Sequence, residues 1–273
     1  MFKMKRLPKN VVGRDFIVGD LHGCYDDLMS VLGALKFAPN VDRLLSVGDL
    51  VDRGPNSFEC LQLLAKPWFH AVRGNHEDLM IDGVKHGNSW LWERNGGSWY
   101  SALNDSQKAQ MVTLTNLADE LPHVLVVDGE YLVLHAECLD AQKPGLTLEA
   151  LEDNLQDVGD RSSGFDIGAP QLTWGRRLFR PWFGRVQTPE DLENDVEMCR
   201  GLLNDSKLPP TFVGHTVMHH PLKIGPFHNL DTGAVFESTD RPWHCLSIQQ
   251  WNGPLRRWQG SKLVEAQWNC VPV

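Results

Sequence analysis

The sequence predicts an α/β fold in which strands and helices pack in layers. Three times in the first third of the chain, a short apolar run is followed by a polar loop and then by apolar residues at helical spacing. Strands that alternate with helices are typical of α/β domains that contain parallel strands. The loops after the carboxyl ends of such strands are where ligands usually bind. These loops are therefore the first candidates for a functional site.

The three strand–helix units are placed by the apolar pattern and by helix-start signals. Their predicted ranges are 15–19 with 25–35, 44–47 with 58–64, and 68–72 with a helix that starts near residue 77. A further helix is predicted at 106–120. Residues 141–204 show little periodicity, and we interpret them as long loops with short helices.

Two hairpins are predicted from turn dipeptides between apolar runs. One joins 124–127 to 131–134 through Asp128-Gly129, and the other joins 246–251 to 255–258 through Asn252-Gly253. No linker-like stretch divides the chain, so we expect a single domain over residues 1–273.

The composition is that of a globular protein with an acidic balance. Hydrophobic residues make up 42% and charged residues 22%, which excludes a disordered chain. The net charge of −9, from 35 acidic and 26 basic residues, argues against a nucleic-acid-binding or basic membrane-surface protein. No apolar run is long enough to cross a bilayer, and the six cysteines form no Cys-x-x-Cys pair. We expect a cytoplasmic protein with buried, reduced thiols and with no nucleic-acid or membrane partner.

Five apolar runs end in a side chain that can bind a metal, next to a small residue. They are Gly19-Asp20-Leu21-His22-Gly23, Gly48-Asp49-Leu50-Val51-Asp52-Arg53-Gly54, Arg73-Gly74-Asn75-His76-Glu77, Leu134-His135-Ala136 and Gly214-His215-Thr216. Each is weak alone, since an aspartate or histidine after a strand usually belongs to a turn or packs in the core. Together they predict one site, because the ends of parallel strands meet at one edge of a sheet.

The mixture of ligand types indicates which chemistry this site would perform. Carboxylate, amide and imidazole ligands suit borderline metals such as Mn, Fe, Zn or Co. Two divalent ions held ~3.5–4 Å apart can share a bridging hydroxide and clamp a phosphate for in-line attack. Asp49 is the candidate for a carboxylate that binds both ions.

These motifs resemble those of the phosphoprotein phosphatase family of metallophosphoesterases, and most closely its compact bacterial and bacteriophage-lambda-type Ser/Thr phosphatases. The likeness runs over 15–88 and resumes at 95–97, 119–137 and 212–235. It implies a metallophosphoesterase-like (calcineurin-like) fold: central mixed β-sheets in a β-sandwich, flanked by helices, with the metal site at the carboxyl ends of strands. Compared with the compact members, the chain has insertions at about 138–173 and 178–210.

The resemblance also implies roles for individual residues. Two divalent ions are expected, Mn²⁺ first and Fe, Zn or Co as alternatives. Their implied ligands are Asp20 and His22 for one ion, Asn75, His135 and His215 for the other, and Asp49 between them. His76 would protonate the leaving oxygen, and Asp52 would orient its ring.

Arginines are implied to hold the phosphate oxygens, because guanidinium groups bind them in pairs of hydrogen bonds. Arg53 and Arg73 have this role by resemblance, and Arg176 is a third member for which Arg177 is the alternative. The insertion residues Arg180, Trp182, Phe183 and Arg185 would form a peptide groove or a lid, or would pack on the surface. The ten tryptophans are interpreted as packing residues.

The expected function is metal-dependent hydrolysis of phosphomonoesters, on phosphoserine or phosphothreonine in a phosphoprotein or phosphopeptide and also on phosphotyrosine. The alternative is hydrolysis of diadenosine tetraphosphate or another nucleotide polyphosphate by a related family with nearly the same motifs. In its common bacterial symmetric type the position of Asp52 is usually not acidic, so Asp52 favours the phosphatase. A non-enzymatic phospho-ligand-binding protein would have lost a metal ligand or the Asp52–His76 pair, and all of them are present.

Overall fold

The computed structural model describes residues 3–138, 147–149, 151, 170–182, 189–203, 206–236 and 244–271. The strands are β1 Met4–Leu7, β2 Asp15–Val18, β3 Arg43–Ser46, β4 Phe69–Ala71, β5 Val124–Val127, β6 Tyr131–Leu134, β7 Thr211–Val213, β8 Leu222–Ile224, β9 Phe227–Asn229, β10 Leu246–Gln250, β11 Leu255–Gln259, β12 Lys262–Ala266 and β13 Asn269–Val271. The α-helices are α1 Tyr25–Ala34, α2 Ser57–Gln62, α3 Asn75–His86, α4 Ser89–Arg94, α5 Asp105–Asp119, α6 Pro170–Trp174 and α7 Pro189–Leu203. Short 3-10 helices span Leu63–Ala65, Gly97–Ala102, Arg180–Trp182 and Ala234–Phe236.

The strands form two mixed sheets. One has seven strands in the order β1-β5-β6-β7-β9-β8-β13, and the other has six in the order β12-β11-β10-β2-β3-β4. Within the six-stranded sheet β2, β3 and β4 are parallel, and within the seven-stranded sheet β6, β7 and β9 are parallel. The carboxyl ends of each parallel set therefore release their loops at one edge, which is where the predicted ligands lie.

The two sheets pack face to face, and helices cover their outer faces. Along β5 the side chains alternate: Leu125 and Val127 join a core cluster that also contains Leu45 of the other sheet, whereas Val124 packs in the cluster that contains Cys199 of α7. The outer face of the six-stranded sheet packs against α1 to α5. This arrangement confirms the predicted layered α/β fold with a central β-sandwich.

Local sequence signals explain where several elements begin and end. The Asn104 side chain accepts a hydrogen bond from the Gln107 backbone nitrogen at 2.9 Å, and the Gln107 side chain accepts one from the Asn104 backbone nitrogen at 3.1 Å, a capping box that starts α5. α3 ends at His86 and is capped by Gly87, whose φ of 76° favours glycine. Both predicted hairpins are antiparallel pairs, β5 with β6 and β10 with β11, so those predictions are confirmed.

Other parts of the chain differ from the sequence prediction. α7 is a helix of 15 residues within a stretch that we interpreted as loops and short helices, so that interpretation is wrong there. β1 was not predicted, and it pairs in parallel with β5. Phe183 and Arg185, and most of the insertion at 138–173, lie outside the described residues. None of the helices in the described part of the chain has the length and apolar character needed to span a bilayer.

Candidate metal centre and active site

The loops after the parallel strands bring two groups of buried ligands together around Asp49. His22, Asp49 and His76 form one group, and Asp49, His135 and His215 form the other. Within each group the candidate ligand atoms all lie within 4.8 Å of one another. Asp49 is therefore placed between two clusters of imidazole nitrogens, as a shared ligand would be.

The backbone of these loops is held in an uncommon conformation. Five site residues outside glycine have positive φ angles: His22 41°, Asp49 48°, Asp52 76°, Arg53 69° and His215 66°. Such conformations cost free energy, of order 1–3 kcal/mol each, and they cluster at functional sites. Hydrogen bonds between loops hold this backbone in place. The Asp49 carbonyl accepts from the backbone nitrogens of Leu21 at 3.1 Å and His22 at 2.8 Å, which joins the loop after β3 to the loop after β2.

Backbone carbonyls select the tautomer of two candidate ligands. His22 Nδ1 donates to the Val51 carbonyl and His135 Nδ1 to the Val47 carbonyl, each at 2.8 Å. The two Nε2 atoms then carry lone pairs and lie 3.6 Å and 3.4 Å from the Asp49 carboxylate. Burial lowers the pKa of both rings, which keeps them neutral. Neutral imidazoles with one nitrogen fixed by an acceptor are the form that binds metals.

His215 and Asn75 complete the second group of ligands. Burial, together with the charges of His135 and Arg176, lowers the pKa of His215 to about 2. Its Nε2 atom is buried and has no hydrogen-bond partner in the described structure. Asn75 Oδ1 lies 3.0 Å from His135 Nε2. An orphaned imidazole nitrogen beside an amide oxygen and a carboxylate is what a borderline divalent metal would satisfy, so these residues fit such an ion.

Asp20 lies at the edge of this cluster and contacts the backbone of His215. The nitrogen of His215 donates to both carboxylate oxygens of Asp20, at 3.2 Å and 3.1 Å. Burial and the charges of Asp231 and Asp49 raise the pKa of Asp20 well above its usual range. Three mutually repelling buried carboxylates are a second observation in favour of bound cations, which would offset the repulsion.

His76 and Asp52 form a buried pair beside the ligands. Their Nδ1 and Oδ2 atoms are 2.6 Å apart, and Asp52 is fully buried. Burial lowers the pKa of His76, but the charge of Asp49 and the hydrogen bond to Asp52 outweigh it, so that the pKa is raised. The other nitrogen of the ring, Nε2, lies 2.8 Å from the Arg53 guanidinium. The ring is therefore oriented by Asp52 at Nδ1, and its Nε2 faces the guanidinium of Arg53.

The three predicted phosphate arginines have different surroundings. Arg53 is exposed and its guanidinium contacts both His22 and His76, at 2.5 Å and 2.8 Å. Arg73 instead pairs with Asp78 and with Asp119, the latter at 2.9 Å.

Arg176 and Arg177, the two candidates for the third arginine, also differ in their partners. Partial burial lowers the pKa of Arg176, against the charges of Asp231, Asp20 and Asp49, which face it. Arg177 contacts Glu137 at 3.5 Å. Arg176 is therefore the member of this pair that lies beside the metal ligands.

Sequence reasoning missed several residues that support the site. Glu77 accepts three backbone hydrogen bonds from the loops that carry Asp49 and Asn75. Asp231 is a buried carboxylate whose pKa burial and the charge of Asp49 raise to about 6. It follows β9 in the same strand-end pattern as the predicted ligands, a signal that could have identified it. Trp92 and Trp99, interpreted only as packing residues, both donate to Asp52.

Two facing mixed sheets with candidate metal ligands at their strand ends agree with the metallophosphoesterase class. A model of the calcineurin-like phosphoesterase family matches residues 16–218, and the chain belongs to this family. It is therefore a hydrolase of phosphoesters.

Comparisons with individual proteins agree with this membership. The chain is 43% identical over 224 residues to the serine/threonine-protein phosphatase 1 of Salmonella typhimurium, covering 81% of this chain and 87% of that protein. It is 35% identical over 130 residues to a symmetrical bis(5'-nucleosyl)-tetraphosphatase of Dechloromonas aromatica, covering 45% and 44%. A cold-active protein-tyrosine phosphatase from a Shewanella species has a TM-score of 0.56 at 16% identity, over 98% of this chain and 83% of that one, and shows the shared fold.

Proposed function

We propose that this protein removes phosphate from phosphoserine and phosphothreonine in proteins, with phosphotyrosine as a further substrate. The observation that carries the proposal is the Asp52–His76 pair, joined at 2.6 Å beside the Asp49 cluster. Alkoxide leaving groups need a proton as the ester bond breaks, and this pair is built to supply one. The long match to a serine/threonine-protein phosphatase supports the same substrate class.

In this proposal the chain's own residues bind the phosphate and move one proton. Arg53 and Arg176 hold the phosphate oxygens, and His76 gives a proton from Nε2 to the leaving oxygen while Asp52 holds Nδ1. Arg73 is the weaker candidate for phosphate, since its guanidinium already pairs with Asp78 and Asp119. Two divalent ions, when bound, supply an activated water and neutralise charge on the phosphate.

The ligands proposed for these ions are the six predicted ones, and Mn²⁺ is the proposed occupant. The set is Asp20, His22, Asp49, Asn75, His135 and His215. Imidazole, carboxylate and amide donors suit Mn²⁺, and also Fe, Zn or Co, better than a metal that prefers thiolates.

The remaining proposals concern organisation and compartment. We infer one domain over residues 1–273, with the described end of the first insertion beside the active-site cleft. The Trp174 ring lies 6.1 Å from the His215 ring, and the Leu172 carbonyl accepts a hydrogen bond from Ala136 at 2.8 Å, which supports this placement for the end of the first insertion. The protein is proposed to act in the cytoplasm, since its six cysteines, all within the described residues, form no disulfide and five of them are buried.

Hydrolysis of dinucleotide polyphosphates is the second candidate function. It is favoured by the partial match to a symmetrical bis(5'-nucleosyl)-tetraphosphatase. The acidic residue at position 52, with its hydrogen bond to His76, favours the phosphatase over this alternative.

A turnover assay on the manganese-loaded protein would separate the two. It would compare phosphoserine, phosphothreonine and phosphotyrosine peptides with diadenosine tetraphosphate, each with and without a chelator. We expect chelator-sensitive phosphate release from the peptides, and turnover of the dinucleotide alone would assign the second function. His76→Asn should retain its metal and lose about 10²–10⁴-fold in turnover, whereas the exposed His86→Asn should match the wild type.

A further inference from the structure

Two tryptophan side chains meet on the same carboxylate oxygen in the active site. Trp92 Nε1 and Trp99 Nε1 each donate a hydrogen bond of 2.8 Å to Asp52 Oδ1. The second oxygen, Oδ2, faces His76 Nδ1 at 2.6 Å, and the carboxylate is fully buried. One oxygen is thus occupied by the indoles and the other by the histidine.

Indole groups restrict this carboxylate more strictly than water or a hydroxyl would. An indole N–H donates and never accepts, so Oδ1 can only act as an acceptor there. Rotation of the carboxylate about its Cβ–Cγ bond would break two hydrogen bonds to a buried charged group, each of which is worth more than a neutral one. The pair therefore keeps Oδ2 directed at Nδ1 of His76.

The surrounding structure is shaped to hold the indoles in this position. A side chain at Gly83 or Gly97 would bring a Cβ to 2.4 Å or 2.5 Å from the Trp92 ring, so both positions require glycine. The rings of Trp92 and Trp99 pack edge to face, with centroids 6.0 Å apart at 85°. Apolar packing explains these ring contacts, but it does not require that both N–H groups converge on one atom.

The same segment also holds a second part of the proposed machinery. Arg53 donates its backbone N–H to the carbonyl of Gly96 at 3.2 Å, and a Cβ at Gly96 would lie 2.7 Å from that nitrogen. The segment of residues 92–99 thus contacts both Asp52 and Arg53. A displacement of this segment would therefore move both Asp52, which orients His76, and Arg53.

We propose that Trp92 and Trp99 are positioning residues for proton transfer to the leaving group, acting through Asp52 on the orientation of His76. This inference rests on the proposed role of the Asp52–His76 pair. In the step concerned, the phosphorus–oxygen bond of the ester breaks and a bond from phosphorus to the oxygen of a hydroxide ion forms, so that the phosphate leaves as HPO₄²⁻. The leaving oxygen takes the proton from His76 Nε2 and departs as a neutral alcohol, while Asp52 keeps its charge.

The dependence of rate on the leaving group tests this role. Phenyl phosphate and 4-nitrophenyl phosphate have nearly the same shape, but phenoxide is the more basic leaving group and needs the proton more. Trp92→Phe and Trp99→Phe should each lower kcat on phenyl phosphate by roughly 10-fold, the worth of one hydrogen bond to a charged group. The loss on 4-nitrophenyl phosphate should be several-fold smaller, with KM unchanged for both esters. Trp90→Phe is the matched control, because Trp90 lies on the same helix and is exposed.

His76→Asn separates a failure of this inference from a failure of the proposed function. If His76→Asn lowers kcat equally on both esters, the general-acid role itself is wrong. If His76→Asn loses more kcat on phenyl phosphate than on 4-nitrophenyl phosphate but the tryptophan variants lose the same on both, the positioning role is overturned. The double variant with Trp99→Phe and His76→Asn should have almost the same kcat as His76→Asn alone. An additive loss of kcat would instead indicate a merely structural role of Trp99.

A folding control keeps the test decisive. Circular dichroism and urea unfolding identify any variant that does not fold. Trp99 is only half-buried whereas Trp92 is almost fully buried, so Trp99→Phe decides the question if Trp92→Phe is unstable. Equal losses on both esters by a folded Trp99→Phe would contradict the proposal.

Discussion

The carboxylate of Glu77 accepts a hydrogen bond from the backbone nitrogen of Asp49 at 2.9 Å and so joins the first turn of α3 to the central metal-ligand loop. The same side chain accepts from the nitrogens of Leu50 and Gly74, each at 2.8 Å. Burial and the charge of Asp49 raise the pKa of Glu77 to about 8, against these hydrogen bonds. Glu77 is fully buried, so its three bonds fix the position of Asp49 from behind.

We predict that Glu77→Gln weakens both folding and metal retention. Glutamine has one acceptor oxygen, so its NH₂ group would face at least one of the backbone donors that Glu77 now satisfies. The expected loss of stability is about 1–3 kcal/mol, the cost of leaving a buried donor unpaired. Urea unfolding and metal analysis after dialysis would measure the two effects. Glu93→Gln, at an exposed position of α4, should leave both unchanged, and equal behaviour of the two variants would contradict this role.

Metal binding should stabilise the fold, because it relieves repulsion among buried carboxylates. At a free metal concentration of 100 times Kd, the stabilisation is about 2.7 kcal/mol for one site, which corresponds to a rise in Tm of roughly 5–10 °C for a domain of this size. A chelator should reverse the rise. His215→Asn, which removes the orphaned nitrogen, should reduce the metal-dependent shift, and the exposed His86→Asn should not. A full shift in His215→Asn would remove this residue from the ligand set.

Much of the fold was predictable because its signals are local. The turns at Asp128-Gly129 and Asn252-Gly253 lie between apolar runs, and both hairpins form in the structure. β1 was missed because Lys5 and Arg6 are exposed and hide its short apolar pattern. Its partner β5 lies more than 100 residues away in the sequence, and a pairing over that distance cannot be predicted from the pattern of neighbouring residues.

The candidate site divides in the same way. Asp49 and His76 lie within contiguous loop motifs, so their chemistry was visible in the sequence. Trp92 and Trp99 are 40 and 47 residues from the Asp52 carboxylate that they contact, and their apolar neighbours make them look like packing residues. Only the tertiary structure brings an indole N–H to a particular oxygen.

A polar link between the two sheets should make stability depend on pH at the acidic end. Tyr131 of β6 donates to Asp15 of β2 at 2.8 Å, and Arg43 and Asn10 bind the same carboxylate. Burial alone would raise the pKa of Asp15, but the hydrogen bonds from Arg43, Asn10 and Tyr131 lower it. The pKa of Asp15 is thus lower in the folded protein than in the unfolded chain, where it is about 3.9. The ionised carboxylate therefore stabilises the fold fully above about pH 3.9, and this stabilisation is lost as the pH falls through the pKa of the folded state.

Asp15→Asn is therefore predicted to lower the free energy of unfolding by about 3 kcal/mol at pH 7, since it leaves Arg43 without its buried partner. The difference from the wild type should shrink as the pH is lowered below about 4 in urea titrations. Asp128→Asn removes an exposed ion pair with Arg6 and should cost less than about 1 kcal/mol. A difference for Asp15→Asn that is constant with pH would mean that its charge does not contribute.

A buried histidine in the sheet interface should make the protein sensitive to mild acid. His228 packs against Phe212 and Trp268, with ring centroids 5.2 Å and 5.0 Å away, and its Nδ1 contacts the Pro226 carbonyl at 2.8 Å. Burial lowers the pKa of His228 to about 4. The neutral ring is therefore favoured in the fold, and stability is complete above the unfolded pKa of about 6.5 and falls as the pH drops towards 4.

His228→Phe should flatten this dependence, because the phenyl ring keeps the aromatic contacts and takes up no proton. The wild type should lose on the order of 3 kcal/mol more than the variant between pH 6.5 and 4. At pH 7 the variant should be less stable by about 1 kcal/mol, the net worth of the hydrogen bond to Pro226. Urea midpoints across this range measure the slope. His70 and His123 also have lowered pKa values, about 4 and about 3, and they contribute equally to both proteins, so parallel curves would show that His228 is not protonated on unfolding in this window.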